Sequence, residues 1–231
     1  MTVDVDPSRK IDRGGIVVET RFSRPPDSRH SMSSNDYITA EQFVEHRLEF
    51  PDGGRWAELA SGRVITLSPP TAEHGTVVLN LSKSLASYTQ REKRGYACFN
   101  LGFLLEREPD TLRFPPISFF TVGRMFTETD RVFTDSRPQL VVEIASTSDR
   151  RRGLDERVSE WLKWGAKMVW VIDPDSRQAH SFESHRSGQR LFEEQTLIGG
   201  AGMLGFAITV GDLFLEPKWA TKPPIPQPSS N

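Results

Sequence analysis

Apolar positions switch between a helical and an alternating period along the chain, and the switching predicts a mixed α/β protein. Thr39-Ala40-Glu41-Gln42 has the spacing of a capping box, with Thr39 covering the first free N–H groups and Gln42 reaching back. A short helix is expected from there to about Leu48. Residues 62–67 read as a strand stopped by Ser68-Pro69-Pro70. From 72 to 93, Val77, Val78, Leu81, Leu85 and Tyr88 recur at helical spacing and predict a long amphipathic helix. Two strand-like runs, 96–106 and 112–122, flank Arg107-Glu108-Pro109-Asp110, the composition of a hairpin turn.

The run Leu140-Val141-Val142-Glu143-Ile144-Ala145 is nearly all apolar, as a central strand covered on both faces would be. Leu154, Val158, Trp161 and Leu162 then form one helical face that ends at Gly165, and 167–172 is a second buried strand. Strand, helix and strand over 140–172 predict a right-handed crossover. Asp173-Pro174-Asp175-Ser176 turns the chain into a more polar strand near 178–183, and 190–196 is the last strand candidate. The expected fold is a mixed, partly antiparallel sheet flanked by helices.

Both ends differ from this pattern. Residues 1–36 are rich in Ser, Arg, Asp and Pro, lack a sustained period, and carry six acidic and six basic side chains; a flexible arm is expected there. From Pro217 onward five of fifteen residues are proline, which predicts an extended tail and leaves 37–216 as the folded domain. One cysteine, Cys98, excludes an internal disulfide and a Cys-based zinc site within one chain, and favours a reducing cytoplasm. No run approaches the ~20 apolar residues of a membrane span. The 29 Lys+Arg against 31 Asp+Glu give a net charge of −2, which argues against a polyanion coat but leaves room for a local basic patch.

One carboxylate stands out. Glu143 lies where every neighbour belongs in the core, and a buried carboxylate needs a cation, a proton or a metal. It is either salt-bridged to an arginine or a metal ligand or catalytic acid. Glu58, in Trp56-Ala57-Glu58-Leu59, falls at a predicted α-to-β junction before the first strand; it is either a solvated surface acid or a group delivered to a sheet edge. His74 occupies the first turn of the long helix, where a lone histidine is either a surface residue or part of a site. Arg150, Arg151 and Arg152 follow the Glu143 strand directly, with Arg157 on the next helix; they form a solvated turn or clamp phosphates. No Gly-rich phosphate loop after a strand, His-Glu-x-x-His or Gly-x-Ser-x-Gly motif is present.

Several blocks have a recognisable spelling. Glu58-Leu59-Ala60-Ser61-Gly62, Ser68-Pro69-Pro70-Thr71-Ala72-Glu73-His74-Gly75, Leu101-Gly102-Phe103-Leu104-Leu105 and the stretch 138–150 around Glu143 come in order. Trp164-Gly165, then 169–174, Gly199-Gly200 and Asp212-Leu213-Phe214 continue the series. Together they resemble the Uma-type restriction endonuclease family, a branch of the PD-(D/E)XK nuclease superfamily, over about 37–216.

The resemblance implies a restriction-endonuclease-like α/β core that hydrolyses phosphodiesters of DNA with Mg²⁺ or Mn²⁺. Glu58 matches the first acid of the family, Glu143 its strand acid and His74 its histidine, with the Ile144 carbonyl as a further ligand. DNA is the implied partner, Arg150, Arg151 and Arg152 are phosphate contacts, and a homodimer is the implied way to cut both strands. Two positions depart. Pro116 stands where the family has a metal-binding Asp, and Arg157 where it has a catalytic Lys. Asp110 lies about 20 Å earlier along an extended strand, in the predicted turn, and is not expected to substitute. Two readings follow: a metal-dependent endonuclease using Glu143, Glu58, Arg157 and His74, or a catalytically impaired relative that keeps the fold as a nucleic-acid-binding or protein-interaction module.

Overall fold

A computed structural model describes residues 37–122, 131–184 and 186–217. The arm expected over 1–36, and all but the first residue of the tail expected over 217–231, lie outside the described residues. Helix α1 (Ala40–Glu45) has the predicted capping box: Thr39 Oγ1 accepts from the Gln42 N–H and Gln42 Oε1 from the Thr39 N–H. The helix is shorter than expected, because its last turn tightens into a 3-10 turn at Arg47–Glu49.

Strands β1 (Ala57–Ala60) and β2 (Arg63–Thr66) form an antiparallel hairpin with Glu58 opposite Ile65. Its two-residue turn, Ser61-Gly62, has positive φ at both positions, the geometry that matches the twist of the flanking strands. A Cβ on Gly62 would lie 2.8 Å from the Tyr37 ring, so both backbone and space require glycine. The structure thereby corrects the expectation for Glu58: it sits inside a strand and not at a junction preceding one.

Helix α2 (Ala72–Glu92) follows the predicted stripe, buried at Val77, Leu81, Leu85 and Tyr88. After it come β3 (Tyr96–Phe99), β4 (Gly102–Glu106), β5 (Thr111–Arg113) and β6 (Ile117–Phe120). Each strand-like run expected here is therefore two strands, and the two belong to different sheets. β4 pairs with β5 and β3 with β6, so 96–120 is one long hairpin that bends from one sheet into the other. The bend falls where Asn100 is left-handed and Pro115-Pro116 offers no N–H to a ladder; the Asn100 N–H reaches the Pro116 carbonyl across it (3.2 Å).

The hairpin turn is held by Asp110. Its carboxylate accepts from the Glu108 N–H (3.2 Å), from Arg107 (2.9 Å) and from the Ala40 N–H at the start of α1 (2.8 Å). Asp110 is thus committed to tying two elements together. Asp110→Ala is expected to cost about 1–3 kcal/mol in urea unfolding, the scale of leaving buried donors unpaired. An unchanged midpoint would contradict this.

β7 (Phe133–Thr134) completes a five-stranded sheet in the order β2-β1-β5-β4-β7. β8 (Leu140–Ile144) leads through α3 (Ser148–Arg151) and α4 (Leu154–Trp164) to β9 (Met168–Asp173), which lies parallel to it as expected. β10 (Gln178–Glu183) and β11 (Gln189–Leu191) extend a six-stranded sheet in the order β11-β10-β9-β8-β6-β3. The run expected over 190–196 breaks at a turn where the Gln195 N–H meets the Phe192 carbonyl. Its last residue, Thr196, opens a separate ribbon, β12 (Thr196–Ile198) with β13 (Ala207–Thr209). Among the described residues, no helix is long and apolar enough to cross a membrane.

Alternation in β8 sorts its side chains onto two faces. Leu140, Val142 and Ile144 pack into the core that α2 covers. Val141 and Ala145 pack into the core that holds Val158 and Trp161 of α4. Glu143 shares the parity of Val141 and Ala145, so it is aimed at α4. By the same rule Ala57 and Leu59 of β1 enter the core around Phe43 of α1, and Glu58 faces the opposite way.

Candidate functional site

Glu58 and Glu143, 85 positions apart in sequence, meet at one guanidinium. Arg157 Nη1 and Nη2 donate to the two Glu58 oxygens at 2.5 and 2.9 Å. Arg157 Nε donates to Glu143 Oε1 at 3.2 Å, and Nη2 to Oε2 at 3.4 Å. The helical period puts residues 157, 160 and 161 of α4 on one face, and the other two also join in. Trp161 Nε1 donates to Glu143 Oε1 at 2.7 Å. Glu160 receives a two-pronged bond from Arg113 of β5, both contacts at 3.0 Å, and Arg113 also donates to Glu58 at 3.3 Å. The Phe114 N–H completes the shell of Glu58 at 3.2 Å.

Glu58 and Glu143 are 2% and 5% exposed, so neither is a solvated acid. Burial alone would raise the Glu58 pKa. The charges and hydrogen bonds of Arg157, with Arg113, outweigh it and hold the group at about 2. The same two carboxylates raise the pKa of Arg157 against its own burial. The acids and arginines thus form a hydrogen-bonded cluster in which breaking one contact strands a buried charge.

His74 extends the buried stripe of α2 by one turn toward its N-terminus, and is not the surface residue that was one alternative. Its Nδ1 lies 3.1 Å from Ser146 Oγ, just beyond the Glu143 strand. Burial first, and the Arg150 charge second, push its pKa down to about 4, so the ring is neutral near pH 7.

The three consecutive arginines separate. Arg150 is partly buried, lies 5.6 Å from the Trp56 ring centroid and donates to the Ser68 carbonyl at 3.3 Å. Its Nε is buried with no hydrogen-bond partner among the described residues. Two cavities meet at this side chain. One, of about 300 Å³, is bordered by Glu58, His74 and Pro116; the other, of about 250 Å³, by Glu143, Arg152 and Arg157. Arg151 turns elsewhere, to Asp173 (3.5 Å) and Asp175. Arg152 is exposed at the rim of the second cavity.

A hard divalent cation asks for about six oxygens in near-octahedral order. Here all four oxygens of Glu58 and Glu143 accept from N–H groups, and the Ile144 carbonyl accepts from the Ser146 N–H (3.0 Å). Pro116 adds no side-chain oxygen. No group of three or more His, Cys, Asp or Glu able to hold a metal occurs among the described residues. With Arg157 in place, this donor set does not fit Mg²⁺ or Mn²⁺.

Arg113, Glu160, Trp161 and Ser146 were not singled out from sequence. Two had a visible signal: Arg113 interrupts an apolar strand as Glu143 does, and Glu160 lies one helical turn beyond Arg157. Ser146 and the Trp161 N–H had none, since both matter only through long-range pairing.

Mixed sheets flanked by a few helices, with buried acids converging from two strands onto the helix after the second, define a restriction-endonuclease-like protein. The chain belongs to the Uma2 family, described as "Putative restriction endonuclease", whose family model matches residues 40–211. Its fold is similar to the crystal structure of a protein described as a putative nuclease belonging to DUF820 from Anabaena variabilis ATCC 29413. That match has a TM-score of 0.63 at 20% identity and covers 77% of this chain and 97% of that one. No curated relative matches the chain.

Proposed function

We propose that this protein engages the phosphodiester backbone of DNA at the Arg150 end of its carboxylate–arginine cluster and is impaired in metal-dependent hydrolysis. The observation that carries the reading is the double engagement of Arg157, which ties all four oxygens of both acids to one guanidinium. A phosphate arriving beside Arg150 meets a cationic guanidinium at the border of two cavities, while Glu58 and Glu143 are already engaged by Arg157.

Three measurements test it. DNA affinity should fall with salt, and Arg150→Ala should lower the salt slope by about one. The wild type should leave a supercoiled plasmid intact with Mg²⁺ or Mn²⁺. Pro116→Asp combined with Arg157→Lys, which restores an acid and opens the guanidinium clamp, should nick it. Salt-independent affinity would defeat the backbone reading.

A second reading, hydrolysis of DNA with Mg²⁺ or Mn²⁺ by a pair of copies, is favoured by one observation: both acids that the resemblance singles out are buried and meet at one guanidinium. Metal-dependent nicking by the wild type, abolished by Glu143→Gln, would establish it in place of the first.

A further inference from the structure

The cavity of about 300 Å³ beside Glu58 is not accounted for by backbone contact. It is lined mainly by carbon, and three aromatic rings, Trp56, Phe99 and Phe114, contribute to its wall. Its volume falls at the lower end of the range of small-molecule sites, the room of a base with its sugar. Phe114 is buried, but Phe99, at the end of β3, is 50% exposed and belongs to none of the three hydrophobic cores. A phenylalanine left in water at the edge of a cavity contributes little to folding and offers a free π-face. Arg150 brings a guanidinium charge to the same cavity, and Arg55 lies 5.9 Å from the Trp56 ring centroid. Asn100, exposed and next to Phe99, adds an amide that both donates and accepts.

We propose that this cavity is a binding site for one unpaired nucleotide of a DNA strand, its base against Phe99 and its phosphate on Arg150. An intact duplex presents phosphates and groove edges and keeps its base faces stacked. An aromatic recess beside a cation matches a base that has left the stack or comes from a single strand. The proposal rests on the backbone-binding reading above and narrows its substrate to single-stranded or locally opened DNA.

The test is fluorescence anisotropy with a labelled oligothymidylate and a fully paired duplex of equal length at fixed salt. Wild type should bind the single strand more tightly. Phe99→Ala should weaken single-strand binding roughly ten-fold, the scale of losing one base–aromatic stack, and leave duplex binding unchanged. Phe99→Trp should retain the single-strand affinity, which separates lost stacking from a damaged strand. Equal affinity for both DNAs, or no change on Phe99→Ala, overturns the nucleotide site. If Arg150→Ala then weakens both DNAs alike, the backbone reading survives without it. If wild type binds neither DNA, both fall.

Discussion

Arg157→Ala is expected to destabilise the protein by about 3–5 kcal/mol near neutral pH, the loss found when one partner of a buried ion pair is removed. The substitution does more than delete contacts. It leaves Glu58 and Glu143, 2% and 5% exposed, without the guanidinium that both of them bind. Only Arg113, Trp161 and the Phe114 N–H would still donate to them. Burial then raises the Glu58 pKa with less to oppose it, so protonation of Glu58 relieves the variant where it would harm the wild type. The stability gap between the two proteins should therefore narrow as pH falls. Arg157→Lys should lose less than Arg157→Ala, because an ammonium keeps the charge but cannot reproduce a planar fork across two carboxylates. Urea unfolding of the three proteins at several pH values reads all of this. A loss within about 1 kcal/mol, the worth of an exposed pair, would mean that the cluster is not buried in solution.

Acidification of the wild type should reveal His74 before it reveals Glu58. The folded-state pKa of His74 is depressed from 6.5 to about 4, so between those values the unfolded chain holds a proton that the folded chain refuses. Proton binding to the unfolded chain favours unfolding, and stability falls as pH falls through this window. The shift corresponds to a loss on the order of 3 kcal/mol, complete once the pH is below about 4. Glu58, lowered from 4.5 to about 2, contributes stability that is present above 4.5 and disappears in the lower window as pH drops toward 2. His74→Gln keeps a polar side chain opposite Ser146 but cannot titrate, so its stability should be flatter between pH 6.5 and 4. Parallel curves for wild type and variant over that interval would refute the assignment.

The legible part of this site was the part written in local pattern. Glu143 could be read because an acid in an apolar strand has no cheap solution, and the salt bridge to an arginine that sequence offered as one of two outcomes is what the structure contains. Which arginine, and that it would also hold Glu58, depends on how β1 and β8 are placed in two different sheets, and no local period encodes that. Glu58 itself was misplaced because four strand residues before Ser61-Gly62 are a weak signal, although two positive-φ positions between short apolar runs are a hairpin signature. His74 continues the α2 stripe by three residues before Val77 and was readable on spacing alone. The long runs at 96–106 and 112–122 hid their breaks for a different reason. Strand propensity does not distinguish one sheet from another, and only Pro115-Pro116 marks the bend.

That bend and the Arg157 clamp together bear on how this protein could change. An acid introduced at position 116 would face two carboxylates still held by a guanidinium. A lysine introduced at 157 would loosen the clamp without supplying a further carboxylate. Neither single replacement is expected to produce hydrolysis, and the pair is, so the two positions form a strongly non-additive cycle. Along such a path the first step brings no new activity for selection to favour, and Arg157→Lys carries a cost in stability as well. On the reading proposed above, the arrangement is an evolutionary local minimum in which two coupled positions, rather than the fold, hold hydrolysis back.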